Sequence, residues 1–298
     1  MFKPENVPPS PPGWSMSQNT HIPAPSNFKL SSCTGRKRAL LIGVNYFRQQ
    51  GELHGCINDV RNLKAFIQRF GFREEDMMIL TDDQKDPKMI PKKANILAGM
   101  KWLVRDARPN DSFFFHFSGH GGQVEDDEGD EDDGFDNTIY PVDYLLSGSA
   151  LDLPFTYSTT GQIKDQNILQ NVGNGLVDAG ISYILGNLGG VISSLEGIGK
   201  KIDRAGERQR IIERKSSSSD CIMFRGCKDD QTSSDAVEAG FGMTGAMTFS
   251  FITALTANPR HTYLELLNSI RDILRTNYSQ KPQLSSSYPV DLNLLFTM

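Results

Sequence analysis

One histidine stands out for its setting. His120 lies in Ser118-Gly119-His120-Gly121-Gly122, directly after the apolar run Asp111–Phe117. Glycines let the backbone turn sharply and leave room for a substrate, so an imidazole held there suits general-base work. Such a base normally serves a nucleophile; a turn histidine bonded to a nearby carbonyl is the alternative reading. His116, inside the Phe run, reads as a satisfied core residue. The available thiols are Cys33, Cys56, Cys221 and Cys227. They are too few and too irregular for a disulfide framework and read as reduced thiols of a cytosolic protein. Glu125–Asp136 holds nine carboxylates in twelve positions. That composition suits a hard cation such as Ca²⁺, although its glycines do not fall where an EF-hand needs them. A solvated acidic loop is the alternative.

The elements that must position these groups follow from periodicity. Lys37–Asn45 is a buried-strand signal. Asn58–Phe70 carries Val60, Leu63, Ile67 and Phe70 on one helical face, with Gly71 as a stop. Met77–Leu80 reads as a strand, Lys92–Ala107 as a helix and Asp111–Phe117 as a strand. This βαβαβ order predicts a parallel sheet with right-handed crossovers, and ligands bind beyond the carboxyl ends of such strands. His120 sits at such an end. Further on, Asn137–Asp143 reads as extended, Asp220–Gly226 as a strand, Gly245–Ala257 and Thr262–Thr276 as helices. Asp291–Thr297 alternates like a strand.

Composition sets the outer bounds. The chain has 298 residues, 38% hydrophobic and 22% charged, enough for a substantial core and unlike a collagen or a wholly disordered chain. No apolar run approaches a membrane span and no secretory signal is visible. The net charge of −5 argues against general nucleic-acid binding. Residues 1–35, rich in Pro, Ser and Asn, read as a flexible arm. Gly197–Lys215 is strongly basic and runs into four serines, Ser216–Ser219. The expected organisation is therefore an arm (1–35), a large region (36–196), a basic, Ser-rich loop (197–219) and a small region (220–298) that completes the same domain.

The segments LLIGVNYF, ELHGCINDVRNLKAF, NDSFFFHFSGHGGQ, GDEDDGFDNTIYPVD, SALDLPFTYSTTG, CKDDQTSSDA and YSQKPQLSSSYPVDLNLLF together resemble a type I metacaspase over residues 36–298. The resemblance implies a caspase-like α/β fold, a mostly parallel sheet flanked by helices. It implies a Cys–His endopeptidase, made as a zymogen and associated with apoptosis, that cuts protein or peptide substrates after Arg or Lys, is activated by Ca²⁺ and processes itself. It makes His120 the catalytic histidine, Asp59 and Ser118 the groups that receive the basic side chain, and Asp136 and Asp152 part of the Ca²⁺ site. It also makes the basic loop a processing segment, with Lys201, Arg204, Arg210, Arg214 and Lys215 as cleavage positions. The expected location is the cytoplasm, with access to the nucleus. Neither nucleic acid nor membrane is expected as a partner.

The resemblance breaks at one place. The family continues from YPVD through an Asp-Asp pair, a helix and a hydrophobic strand to Asp-Ser-Cys-His-Ser-Gly-Ser. Here Asp143-Tyr144-Leu145-Leu146 runs straight into Ser147-Gly148-Ser149. Related caspases place the cysteine about 50 residues after the histidine, whereas Ser147 follows His120 by 27. The nucleophile, the Asp-Asp Ca²⁺ ligands and one central strand are thus expected to be absent, leaving an inactive chain with a weakened Ca²⁺ site. Alternative splicing, a mistaken gene model and a genuine pseudoenzyme would each produce it. Cys56, near the proposed pocket, is the one thiol considered as a substitute. A non-catalytic protein that holds basic peptides, or a full-length relative, is the rival reading. The sheet is expected to be strained or gapped near Tyr144–Ala150.

Overall fold

The computed structural model describes residues 31–125, 135–144, 149–150, 155–157, 221–226, 235–238, 242–278, 280–287 and 290–298. The predicted βαβαβ unit is present. β1 (Lys37–Gly43) is followed by α1 (Cys56–Ile67), β2 (Met77–Thr81), α2 (Lys93–Val104) and β3 (Ser112–Ser118). The strands pair in the order β2-β1-β3, all parallel, with Leu41 opposite Ile79 on one side and His116 on the other. β1 can be the central strand because its residues from Ala39 to Gly43 are all buried. Its alternate side chains feed two cores, as the pleat requires. Ala39 and Leu41 pack with Val60, Leu63 and Phe66 of α1. Leu40 and Ile42 pack with Leu80, Ile96 and Leu103 on the α2 side.

The first of these cores is completed from far along the chain. α3 (Ala246–Ala257) and α4 (Tyr263–Asn277) bring Phe251, Leu255, Leu266, Ile270 and Leu274 onto the α1 face. α4 starts with a capping box: Glu265 N–H donates to the Thr262 hydroxyl at 3.1 Å, and Thr262 N–H donates back to the Glu265 carboxylate at 2.8 Å. The architecture is α/β, with helices on both faces of the parallel sheet. None of the helices among the described residues is long and apolar enough to cross a membrane.

Beyond β3 the strands form separate antiparallel sheets. β4 (Gly121–Glu125), β5 (Phe135–Ile139) and β6 (Ser149–Ala150) make one. β7 (Phe155–Tyr157) and β8 (Ile222–Arg225) both pair with β11 (Gln283–Ser286) in a second. β9 (Asp235–Glu238) and β10 (Gly242–Gly245) form a hairpin. β3 is therefore an edge strand among the described residues, and β8 joins a different sheet. Tyr144 supplies no strand stub. It sits in a turn with its N–H on the Pro141 carbonyl at 2.9 Å, and its ring stacks on Tyr140 at 5.3 Å.

The C-terminal alternation corrects one expectation. Asp291–Thr297 is not a ladder strand; among the described residues it makes one isolated bridge, Thr262 to Leu295. Leu292 is buried against Tyr263 and Leu267, so the alternating apolar residues clamp the start of α4 instead. The actual strand, β11, escapes notice because its serines are polar yet buried.

Candidate active site

Asp59 projects from the first turn of α1 and is 1% exposed. Its carboxylate accepts from the Ser118 hydroxyl at 2.6 Å, from Gly245 N–H at 2.8 Å and from the Thr244 hydroxyl. Ser118 ends β3 beside Gly43 of β1, so the parallel register delivers it to α1. Asp59 and Ser118, paired on the resemblance, are thus in direct contact. Thr244 and Gly245 are the partners that sequence reading missed; they lie 185 and 186 positions away, and only the β10–α3 junction brings them in. A Cβ at Gly245 would stand 2.6 Å from the Asp59 carboxylate, so this backbone approach requires glycine.

His120 lies just past the carboxyl end of β3. Its Nε2 is 2.6 Å from the Gly51 carbonyl. A carbonyl only accepts, so Nε2 carries the proton and, in the neutral ring, Nδ1 holds the lone pair. The ring packs on Tyr46 with centroids 4.7 Å apart. Its backbone N–H donates to the Tyr46 hydroxyl at 2.9 Å, and that hydroxyl donates to the Tyr140 carbonyl at 2.5 Å. Tyr46 is fully buried, and burial pushes its pKa above the ordinary value of 10.

The described thiols lie elsewhere. Cys56 opens α1 and is 2% exposed, sealed from any substrate carbonyl. Cys33 lines a cavity of about 310 Å³ with Lys37, Phe70 and Met298. Lys37 begins β1, opposite Ser112, whereas His120 follows the other end of β3. A seven-residue strand at about 3.3 Å per residue separates the two ends by roughly 20 Å. Cys221 is exposed at the start of β8, its carbonyl accepting from Ser287 N–H at 3.1 Å. Cys227 lies outside the described residues.

The other predicted positions divide in two. Asp136 is on β5, opposite Val124 of β4. Asp152 lies outside the described residues, as do Lys201, Arg204, Arg210, Arg214 and Lys215. Among the described residues, no group of three or more His, Cys, Asp or Glu comes together to hold a metal ion. His116 is half-buried, and its buried Nε2 has no hydrogen-bond partner among the described residues, which corrects the reading of a satisfied core histidine.

The pattern of the metacaspase peptidase C14 domain matches residues 37–182. Metacaspase-1 of Emericella nidulans is 51% identical over 305 residues, covering 91% of this chain and 75% of its own. Metacaspase-1A of Aspergillus terreus is 49% identical over 305 residues, with the same coverage. Metacaspase-1 of Botryotinia fuckeliana is 46% identical over 327 residues, covering 99% of this chain and 78% of its own. A solved protein structure from Geobacter sulfurreducens aligns over 85% of this chain and 93% of its own, with a TM-score of 0.48 and 17% identity.

Proposed function

Because this chain belongs to the metacaspase family of cysteine peptidases, which act on proteins and peptides, we propose that it retains the family's histidine and the pocket for a basic side chain but not the attacking thiol, and so does not cleave. The observation that carries this is His120 itself. Its Nε2 is committed to the Gly51 carbonyl, leaving Nδ1 to take a proton, while the described thiols are sealed, at the far end of the sheet or on another sheet. A base with no thiol to deprotonate generates no nucleophile. The alignment length supports the same reading: 327 aligned positions against a chain of 298 leave at least 29 without a counterpart here.

A second reading, a non-catalytic holder of basic peptides, is favoured by the intact Asp59–Ser118 contact. A carboxylate suits a guanidinium or ammonium, but here it is covered, so an incoming Arg or Lys must displace the Ser118 or Thr244 hydroxyl. For Ca²⁺ we propose a weak association with the acidic run, since Asp136 and Asp152 stand without the Asp-Asp pair. Calorimetry yielding one saturable site of micromolar affinity would overturn that.

The deciding experiment is hydrolysis of Arg- and Lys-ending reporter peptides, with and without millimolar Ca²⁺. No turnover is expected. A rate abolished by His120→Ala would sink the proposal, and Cys56→Ala and Cys227→Ala would then identify the thiol. Calorimetric binding of an Arg-ending peptide, lost in Asp59→Asn and absent for its Asp-ending counterpart, would establish the second reading.

A further inference from the structure

We propose that Tyr46 is a positioning residue for His120, and that Asp82 locks Tyr46 in place. This rests on reading His120 as the family's base. His120 follows Gly119, and a turn at a strand end gives its peptide no ladder partner of its own. Tyr46 and Tyr140 supply that partner instead. His120 N–H donates to the Tyr46 hydroxyl at 2.9 Å, that hydroxyl donates to the Tyr140 carbonyl at 2.5 Å, and Tyr140 N–H donates to the His120 carbonyl at 3.0 Å. Both backbone groups of His120 are thereby held in one closed ring of bonds. The Tyr46 ring also lies against the imidazole at 4.7 Å. With peptide and ring both fixed, Nε2 is aimed at the Gly51 carbonyl.

The hydroxyl's two roles do not interchange. A phenol has one proton, which goes to the Tyr140 carbonyl, so its lone pair receives the His120 N–H. Because burial raises the Tyr46 pKa, the hydroxyl stays a donor throughout the neutral range. Space is made for it by Gly119, where a Cβ would stand 2.9 Å from the hydroxyl oxygen.

Tyr46 holds this pose in an unfavourable backbone conformation. Its φ is +55°, in the left-handed region that is costly for a bulky residue. Asp82, just past the end of β2, offsets that cost. Its carboxylate accepts from Asn45 N–H at 3.0 Å, Tyr46 N–H at 2.7 Å and Phe47 N–H at 3.4 Å. Three consecutive amides clamped by one carboxylate fix the turn that presents the phenol. The chain of dependence runs from Asp82 through the Tyr46 backbone and hydroxyl to the His120 peptide and Nε2.

The test reads the imidazole directly, so it does not require turnover. In nitrogen-15-labelled protein, the His120 Nε2–H resonance, assigned by its loss in His120→Gln, should be protected from water exchange. Tyr46→Phe should speed that exchange by about tenfold or more, whereas Tyr263→Phe, at the buried tyrosine that opens α4, should leave it unchanged. Exchange within about twofold of the parent in a folded Tyr46→Phe protein overturns the proposal. If Tyr46→Phe does not fold, Asp82→Asn is read in the same way: faster exchange of the His120 proton supports the proposal, and unchanged exchange overturns it. Should the reporter assay reveal turnover, the reading of an inactive chain fails separately. Tyr46→Phe must then lower kcat with KM little changed.

Discussion

His116 shows how a base with a buried ring nitrogen couples a fold to pH. It sits on β3 between Phe114, which packs on the α1 core, and Ser118, which bonds Asp59, so it shares their face of the sheet. Its Nε2 is buried and has no partner among the described residues, and burial pushes its pKa from 6.5 down to about 4. Between those values the unfolded chain binds a proton that the folded chain refuses. Stability therefore falls as pH drops through that window and levels off below about 4. From pH 7 to pH 5 the loss is about 2 kcal/mol. Urea titrations should show that loss in the parent and not in His116→Leu. Asp59 is the opposite case, a carboxylate whose bonds come from Ser118, Thr244 and Gly245. Asp59→Asn turns one acceptor edge into a donor facing donors and should cost about 2 kcal/mol by chemical denaturation. The Asp59–Ser118 pair was legible only through motif resemblance. Tyr46, Asp82 and Thr244 were not legible at all, because each acts through contacts between residues 35 to 185 positions apart and leaves no local pattern.

Whole elements were legible wherever one periodicity dominated. β1, α1, β2, α2 and β3 all lie within a few residues of their predicted limits, because their apolar residues recur at strand or helix spacing with clear stops. β11 was missed for the converse reason: its buried serines answer to ladder pairing with β7 and β8 rather than to hydrophobicity. The C-terminal alternation misled because period two also serves a segment that lies along a helix. α4 tests how much a local signal contributes. Thr262→Ala removes the acceptor for Glu265 N–H and should cost about 1 kcal/mol. Thermal melts should place Thr262→Ser near the parent and Thr262→Ala below it.

At the scale of the molecule, one ring joins pieces that no ladder among the described residues joins. Phe251 of α3 lies 6.3 Å from Phe66 of α1, 6.5 Å from Phe114 of β3, 6.0 Å from Phe224 of β8 and 6.1 Å from Phe296. The parallel sheet and the β7-β11-β8 sheet therefore meet through side chains around this ring. Phe251→Ala should cost about 3–5 kcal/mol. It should also split the calorimetric transition, so that the van't Hoff enthalpy falls below the calorimetric one. A single transition of unchanged width would show that the two sheets are coupled by other contacts.

That arrangement also sets the order in which the chain can assemble. The α1 face of the first βαβαβ unit is covered by Leu266, Ile270 and Leu274, which are synthesised about 200 residues after Phe72. Closing so long a loop carries an entropic penalty that local contacts cannot offset beforehand, so folding is slow for the chain's size. At about 5–20 residues per second, a nascent chain leaves the ribosome with that face bare for on the order of ten seconds or more. A chaperone that shields apolar surface would have its longest engagement there, on the strip formed by Val60, Leu63 and Phe66, until the C-terminal helices emerge.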